Sequence, residues 1–111
     1  MTQAMSSMGT PLYMAPEQAT DAKNAGAAAD RYAFGLVCYE LLCGSLPWVD
    51  GMIAQGIIGL KVMGHLIPLC EKKTTIDRLV SSVVMKMISL PPQDRFESCT
   101  VFWDALEGRC Y

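Results

Sequence analysis

The chain has 111 residues, of which 51% are hydrophobic and 18% charged, and a net charge of -2 at pH 7. That length suits one modest domain and excludes two, while the slight negative charge and the lack of any basic block beyond Lys72-Lys73 exclude an electrostatic nucleic-acid binder. So apolar a composition in so short a chain predicts that some apolar surface is exposed, or packs on something outside it.

Residues 1 to 8 are polar and Met-rich and show no periodicity, so they read as loop, and no secretory signal is visible in them. The apolar stretches at 32 to 39 and 51 to 60 are too short to cross a bilayer, and Glu40 and Lys61 interrupt them. Ala15-Pro16-Glu17 reads as a helix start, with Pro16 placed where its missing amide is harmless and Glu17 complementing the positive helix end. A second helix is predicted from about 30 to 43. Asp30 is its N-cap or first-turn acid, and Gly44 supplies a left-handed cap at its end. Tyr32, Phe34, Val37, Cys38, Leu41 and Leu42 surround most of this helix, which therefore reads as buried on all sides.

Turn residues from Ser45 to Gly51 link it to a helix at 52 to 63, weakened by Gly56 and Gly59. Residues 64 to 73 read as loop around Pro68. Thr74 and Asp77 have the spacing of a capping box, and Ile76, Leu79, Val80, Val83 and Met87 recur at helical intervals. Pro91-Pro92 ends that helix, and a last one from about Ser98 to Glu107 closes at Gly108. The expected fold is all-α, with about four to five helices and no sheet.

Five cysteines at 38, 43, 70, 99 and 110, without a C-x-x-C pair and with one histidine, His65, argue against a metal site and for reduced thiols in a cytoplasmic protein. Cys38 reads as buried filler and His65 as a surface histidine. Tyr32, Phe34 and Trp48 read as core aromatics, and the methionines as scattered core filler.

Gly9-Thr-Pro-Leu-Tyr-Met-Ala-Pro-Glu17 resembles the end of the activation segment of Ser/Thr protein kinases. Two further stretches match in family order. Asp30-Arg-Tyr-Ala-Phe-Gly35, with Tyr39-Glu-Leu-Leu42 and Leu46-Pro-Trp48, resembles the central helix of the kinase C-lobe and the link after it. Ser89-Leu-Pro-Pro-Gln-Asp-Arg95 resembles the Asp-Pro-x-x-Arg stretch before the last helix, although Pro91 replaces the usual Asp and Phe96 a common Pro.

The resemblance implies a single partial kinase domain over 1–111, with the activation-segment end at 1–18 and a helical subdomain at 30–107. It implies that Gly9, Thr10, Pro11 and Leu12 form the wall that receives the substrate residue after the phosphoacceptor, Thr10 also bonding the catalytic aspartate. Glu17 and Arg95 are implied to form an ion pair fastening this segment, and Asp30 to accept amides of the catalytic loop. Two readings stand for Ser6 and Ser7, activating phosphosites or an ordinary polar loop. Thr2 reads as loop.

The 111 residues contain no Gly-x-Gly-x-x-Gly, no His-Arg-Asp and no Asp-Phe-Gly. Gly51, Gly56 and Gly59 are wrongly spaced for a phosphate loop, and Lys61 reads as lacking both the strand and the partner of a phosphate lysine. No catalytic residue and no metal ligand is therefore expected here, and ATP with Mg²⁺ only for an intact parent enzyme. The expectation is an inactive piece of a Ser/Thr kinase, able to bind a protein substrate, another kinase or a chaperone, but neither nucleic acid nor membrane. The alternatives are a non-catalytic kinase-like interaction module and an unrelated helical structural domain.

Overall fold

The computed structural model describes residues 12–20 and 26–108. Six α-helices occur among them: α1 (Pro16–Thr20), α2 (Ala27–Cys43), α3 (Ala54–Met63), α4 (Leu69–Lys72), α5 (Arg78–Met87) and α6 (Cys99–Leu106), with a 3-10 turn at Pro92–Asp94 before α6. Among the described residues there is no strand. The chain is all-helical.

α2 is the centre of the packing. It lies against α5, which packs in turn on α6 and α4, while α1 rests on α3. Tyr32, Leu36 and Tyr39 of α2 meet Val83, Val84 and Met87 of α5 and Phe102 and Ala105 of α6 in one buried cluster. Phe34 and Phe96 both approach Phe102 at 5.7 Å between ring centroids, the first edge-on, a geometry favoured by the ring quadrupoles. Gly35 permits the closest approach of α2 to α5. A Cβ there would stand 2.8 Å from Ile88 Cγ2 and 3.0 Å from Met87 Cγ.

Several boundaries differ from the sequence expectation, each for a local reason. α2 begins at Ala27, because the alanines at 27, 28 and 29 are strong helix formers, so Asp30 sits in its first turn and is not its N-cap. It ends at Gly44, whose φ of +87° makes the left-handed cap and lets its amide reach the Glu40 carbonyl. Thr74 and Asp77 form no capping box. Asp77 is itself the N-cap of α5, its carboxylate accepting from the Leu79 amide at 2.7 Å, and the helix starts one residue later. Within the stretch read as loop, α4 forms because Leu69 is fully buried and the Cys70 amide donates to Ser81 Oγ at 3.1 Å.

α2 is not buried on all sides either. Val37 is 38% exposed and Leu41 80%, so one stripe of the helix faces outward. Leu79, expected in the core, is also exposed, and the inward face of α5 is carried by Ser81, Val83, Val84 and Met87. Cys38, Tyr32 and Trp48 are buried, Phe34 is partly buried against the core, and His65 is exposed.

The link between α2 and α3 is held from a distance. Lys72 Nζ donates to Ser45 Oγ, Leu46 O and Trp48 O at 3.1, 2.6 and 2.7 Å, and Ile67 N donates to Pro47 O. Tyr39 OH adds a bond to Ile67 O at 2.7 Å. These bonds seat Trp48 in the core, where it becomes part of the site. No helix among the described residues is long and apolar enough to cross a membrane.

Candidate functional site: a segment fastened at three points

Residues 12 to 17 run into α1 and are gripped by side chains from three other parts of the fold. α1 starts with a local device: Gln18, two residues into the helix, turns back so that Oε1 accepts the Ala15 amide at 2.8 Å. Ala15 and Pro16 are buried, which turns Glu17 toward the interior.

The first fastening is Arg95. Its guanidinium donates to both Glu17 oxygens, from Nη1 at 2.7 Å and Nη2 at 2.8 Å, and each of these nitrogens makes a second bond, to Ala28 O at 2.9 Å and Leu90 O at 3.2 Å. Nε donates to Ser89 O at 2.9 Å. All five N–H groups of the fork are thus used. The side chain is fully buried and Glu17 partly so, at 16% exposed, and the fork lies over the Tyr32 ring, 4.7 Å from its centroid. Burial is the largest influence on the Glu17 carboxyl and raises it, but the Arg95 hydrogen bond, a backbone amide and the guanidinium charge together hold it below its ordinary 4.5.

The second is Glu40 of α2, whose Oε1 accepts the Tyr13 hydroxyl. This bond, with burial and the Glu40 charge behind it, pushes the Tyr13 phenol up to about 12.

The third is Lys61 of α3. It is 2% exposed, and Nζ donates to Leu12 O at 2.7 Å and Met14 O at 2.8 Å. The amino group lies 5.2 Å from the Trp48 ring centroid and 5.9 Å from that of Tyr32. Burial lowers its pKa to about 7. From the sequence Lys61 is weighed only as a phosphate lysine, and its role in gripping this segment is missed. A lysine one helical turn after the buried Ile57 occupies an inward position, and that placement was the available signal. For Tyr13–Glu40 the signal was weaker: a lone carboxylate within an apolar helix needs a donor.

Tyr32 stands between Arg95 and Lys61 and is 1% exposed, and its hydroxyl has no hydrogen-bond partner among the described residues. Burial raises its pKa far above the usual phenol range, which keeps it neutral. Asp30 is exposed near the N-terminus of α2. Of the wall residues, Leu12 is partly buried against the core. Gly9, Thr10 and Pro11 lie outside the described residues, as do Thr2, Ser6, Ser7 and Cys110. Among the described residues no group of three or more acidic, histidine or cysteine side chains is placed to hold a metal.

An Ala-Pro-Glu segment is thus clamped against the central helix of an all-helical unit through a fully bonded arginine. The protein kinase domain family model matches residues 1–104, and the chain belongs to that family. It is 31% identical over 100 residues to the serine/threonine-protein kinase Pkn1 of Myxococcus xanthus, covering 90% of this chain and 14% of the relative. It is 33% identical over 106 residues to the serine/threonine-protein kinase PknD of Chlamydia pneumoniae, covering 91% and 11%. It is 31% identical over 100 residues to the tyrosine-protein kinase MasK of Myxococcus xanthus, covering 89% and 15%. The chain therefore spans only 11% to 15% of these relatives' own length.

Proposed function

We propose that this chain is the substrate-side, helical part of a Ser/Thr protein kinase domain, that it presents the protein substrate and steadies the catalytic loop, and that by itself it transfers no phosphate. The observation that carries the reading is the fastening of residues 12 to 17 by Arg95, Glu40 and Lys61. Phosphoryl transfer depends almost wholly on positioning and charge stabilisation, and a segment held at three points is suited to positioning. Gly9, Thr10, Pro11 and Leu12 are the wall for the substrate residue after the phosphoacceptor, and Asp30, exposed near the start of α2, is available to amides of a catalytic loop. The Gly-Thr-Pro run and the names of Pkn1 and PknD support the Ser/Thr branch, with ATP and Mg²⁺ as the cofactors of the parent enzyme.

The outward stripe of α2, with Leu41 80% exposed, is an apolar seat for the rest of such a domain, and it also supports the second reading, a non-catalytic module that binds a protein partner there. The uncombined thiols of Cys38, Cys43, Cys70 and Cys99 suit a reducing cytoplasm.

The test has two arms. The purified 111-residue chain, incubated with labelled ATP, Mg²⁺ and a generic protein acceptor, is expected to transfer no label; transfer would overturn the claim of inactivity. The reading frame is expected to continue upstream of Met1 through His-Arg-Asp and Asp-Phe-Gly, and its full product to label serine or threonine. An upstream stop in a gene whose protein is expressed favours the module, and label on tyrosine alone overturns the Ser/Thr assignment.

A further inference from the structure

The position of Lys61 is a poor one for a lysine if stability were all that mattered. Its amino group is shut between the Trp48 and Tyr32 rings in the core, and an apolar side chain of similar length would fill that space without a charge to desolvate. What the lysine adds is a pair of N–H donors aimed at two backbone carbonyls 49 and 47 residues away, those of Leu12 and Met14. Both lie on the one segment that Arg95 and Glu40 also hold, but those two grip it at Glu17 and at the Tyr13 side chain. Lys61 alone of the three acts on the backbone of Leu12, the last residue of the substrate wall.

The ring contacts explain how a cation is tolerated there, since each ring presents its negative face to an ammonium within about 6 Å. From between these rings the amino group ties the carbonyls of Leu12 and Met14 to α3. Either protonation state supplies the two N–H groups the carbonyls need. The link is therefore kept on both sides of neutral pH.

We propose that Lys61 is a positioning residue for protein-substrate recognition, setting from α3 the backbone orientation of Leu12, where the proposed substrate wall ends. The inference rests on the reading of residues 9 to 12 as that wall. Lys61 touches neither ATP nor the transferring phosphoryl group in this reading, so its effect falls on the protein substrate.

The experiment uses the full-length protein that contains this chain, with Mg²⁺-ATP and a set of serine peptides differing only in the residue after the acceptor. Lys61→Met keeps the length of the side chain and removes both donors, and Lys61→Leu is a second apolar variant should the first fail to fold. The expected result in a folded variant is a rise of about tenfold in the peptide KM, an altered ranking of the peptides, and kcat and the ATP KM within about twofold of the parent. Lys61→Arg, which retains donors and charge, is expected to recover most of the peptide affinity. An unchanged peptide KM in an active, folded apolar variant overturns the inference and leaves the kinase reading standing. So does an equal loss in the ATP and peptide parameters, or the failure of both apolar variants to fold, because each marks a merely structural role. A full-length parent that phosphorylates nothing overturns the kinase reading itself, and the inference with it.

Discussion

Arg95 spends every donor it has. Two bonds go to the Glu17 carboxylate and three to the carbonyls of Ala28, Ser89 and Leu90, which ties three separate stretches of chain to one planar group. A lysine offers three donors from a single point and cannot span both carboxylate oxygens and three carbonyls. Arg95→Ala is expected to cost about 3–5 kcal/mol, since it leaves the Glu17 carboxylate desolvated and unpaired, and Arg95→Lys to recover only a minor part, both measured by urea unfolding. The lowered Glu17 pKa sets a pH dependence. The stability it lends is fully present above its unfolded value near 4.5 and is lost as pH falls through the lower folded value. Acid unfolding of Glu17→Gln is expected to lack that component. Lys61 works in the opposite range. Its folded pKa of about 7 lies below its ordinary 10.5, so between those values the unfolded chain binds a proton that the folded chain does not. Stability is expected to rise from about pH 7 toward about pH 10, by at most about 1.4 kcal/mol per pH unit. In Lys61→Met that rise should vanish, which unfolding curves taken across this range would register.

At the scale of the helix, two substitutions separate local propensity from packing. Asp77→Ala removes the N-cap of α5 and is expected to lower stability by about 0.5–2 kcal/mol, whereas Thr74→Ala, at an exposed position outside the helix, should change it by less than about 0.5 kcal/mol. Equal losses at the two positions in thermal unfolding would restore the capping box. Gly35→Ala tests the crossing of α2 over α5. Alanine is the better helix former, yet its methyl would meet Ile88 and Met87 at 2.8 and 3.0 Å. A net loss of about 1–3 kcal/mol is expected, because the packed side chains must move, and a gain in the same assay would mean that the two helices have room to spare.

For the molecule as a whole, the exposed apolar residues decide behaviour. Leu41 and Val37 on α2 and Trp103 on α6, half-exposed, leave apolar surface open to solvent, and Leu41, Leu42, Cys38, Trp103 and Leu106 line one apolar groove between these two helices. Patches of this kind mark places where another surface belongs. The isolated chain is expected to associate with rising concentration in sedimentation experiments, and Leu41→Ser to weaken that association while leaving the unfolding midpoint nearly unchanged. A chain that stays monomeric at high concentration would remove this account of the patch.

What the sequence determined by itself was set by short-range rules. The period of α5, the cap at Gly44, the all-helical class and the excess of apolar residues were legible because each depends on neighbours within a turn or on composition. The run from Gly9 to Glu17, with Asp30 and Arg95 downstream, was enough to place the chain by resemblance and to name Glu17 and Arg95 as a pair. Tertiary structure decided the rest. It buried Lys61 and gave it two carbonyls 47 and 49 residues away, joined Tyr13 to Glu40, made a short helix of 69 to 72 around a buried leucine, and chose which side of α2 faces outward. The reason is physical. A helical period records that a side chain is apolar or polar, but the partner of a buried polar group is chosen by where distant segments come to rest, and the local pattern of the chain holds no trace of that distance.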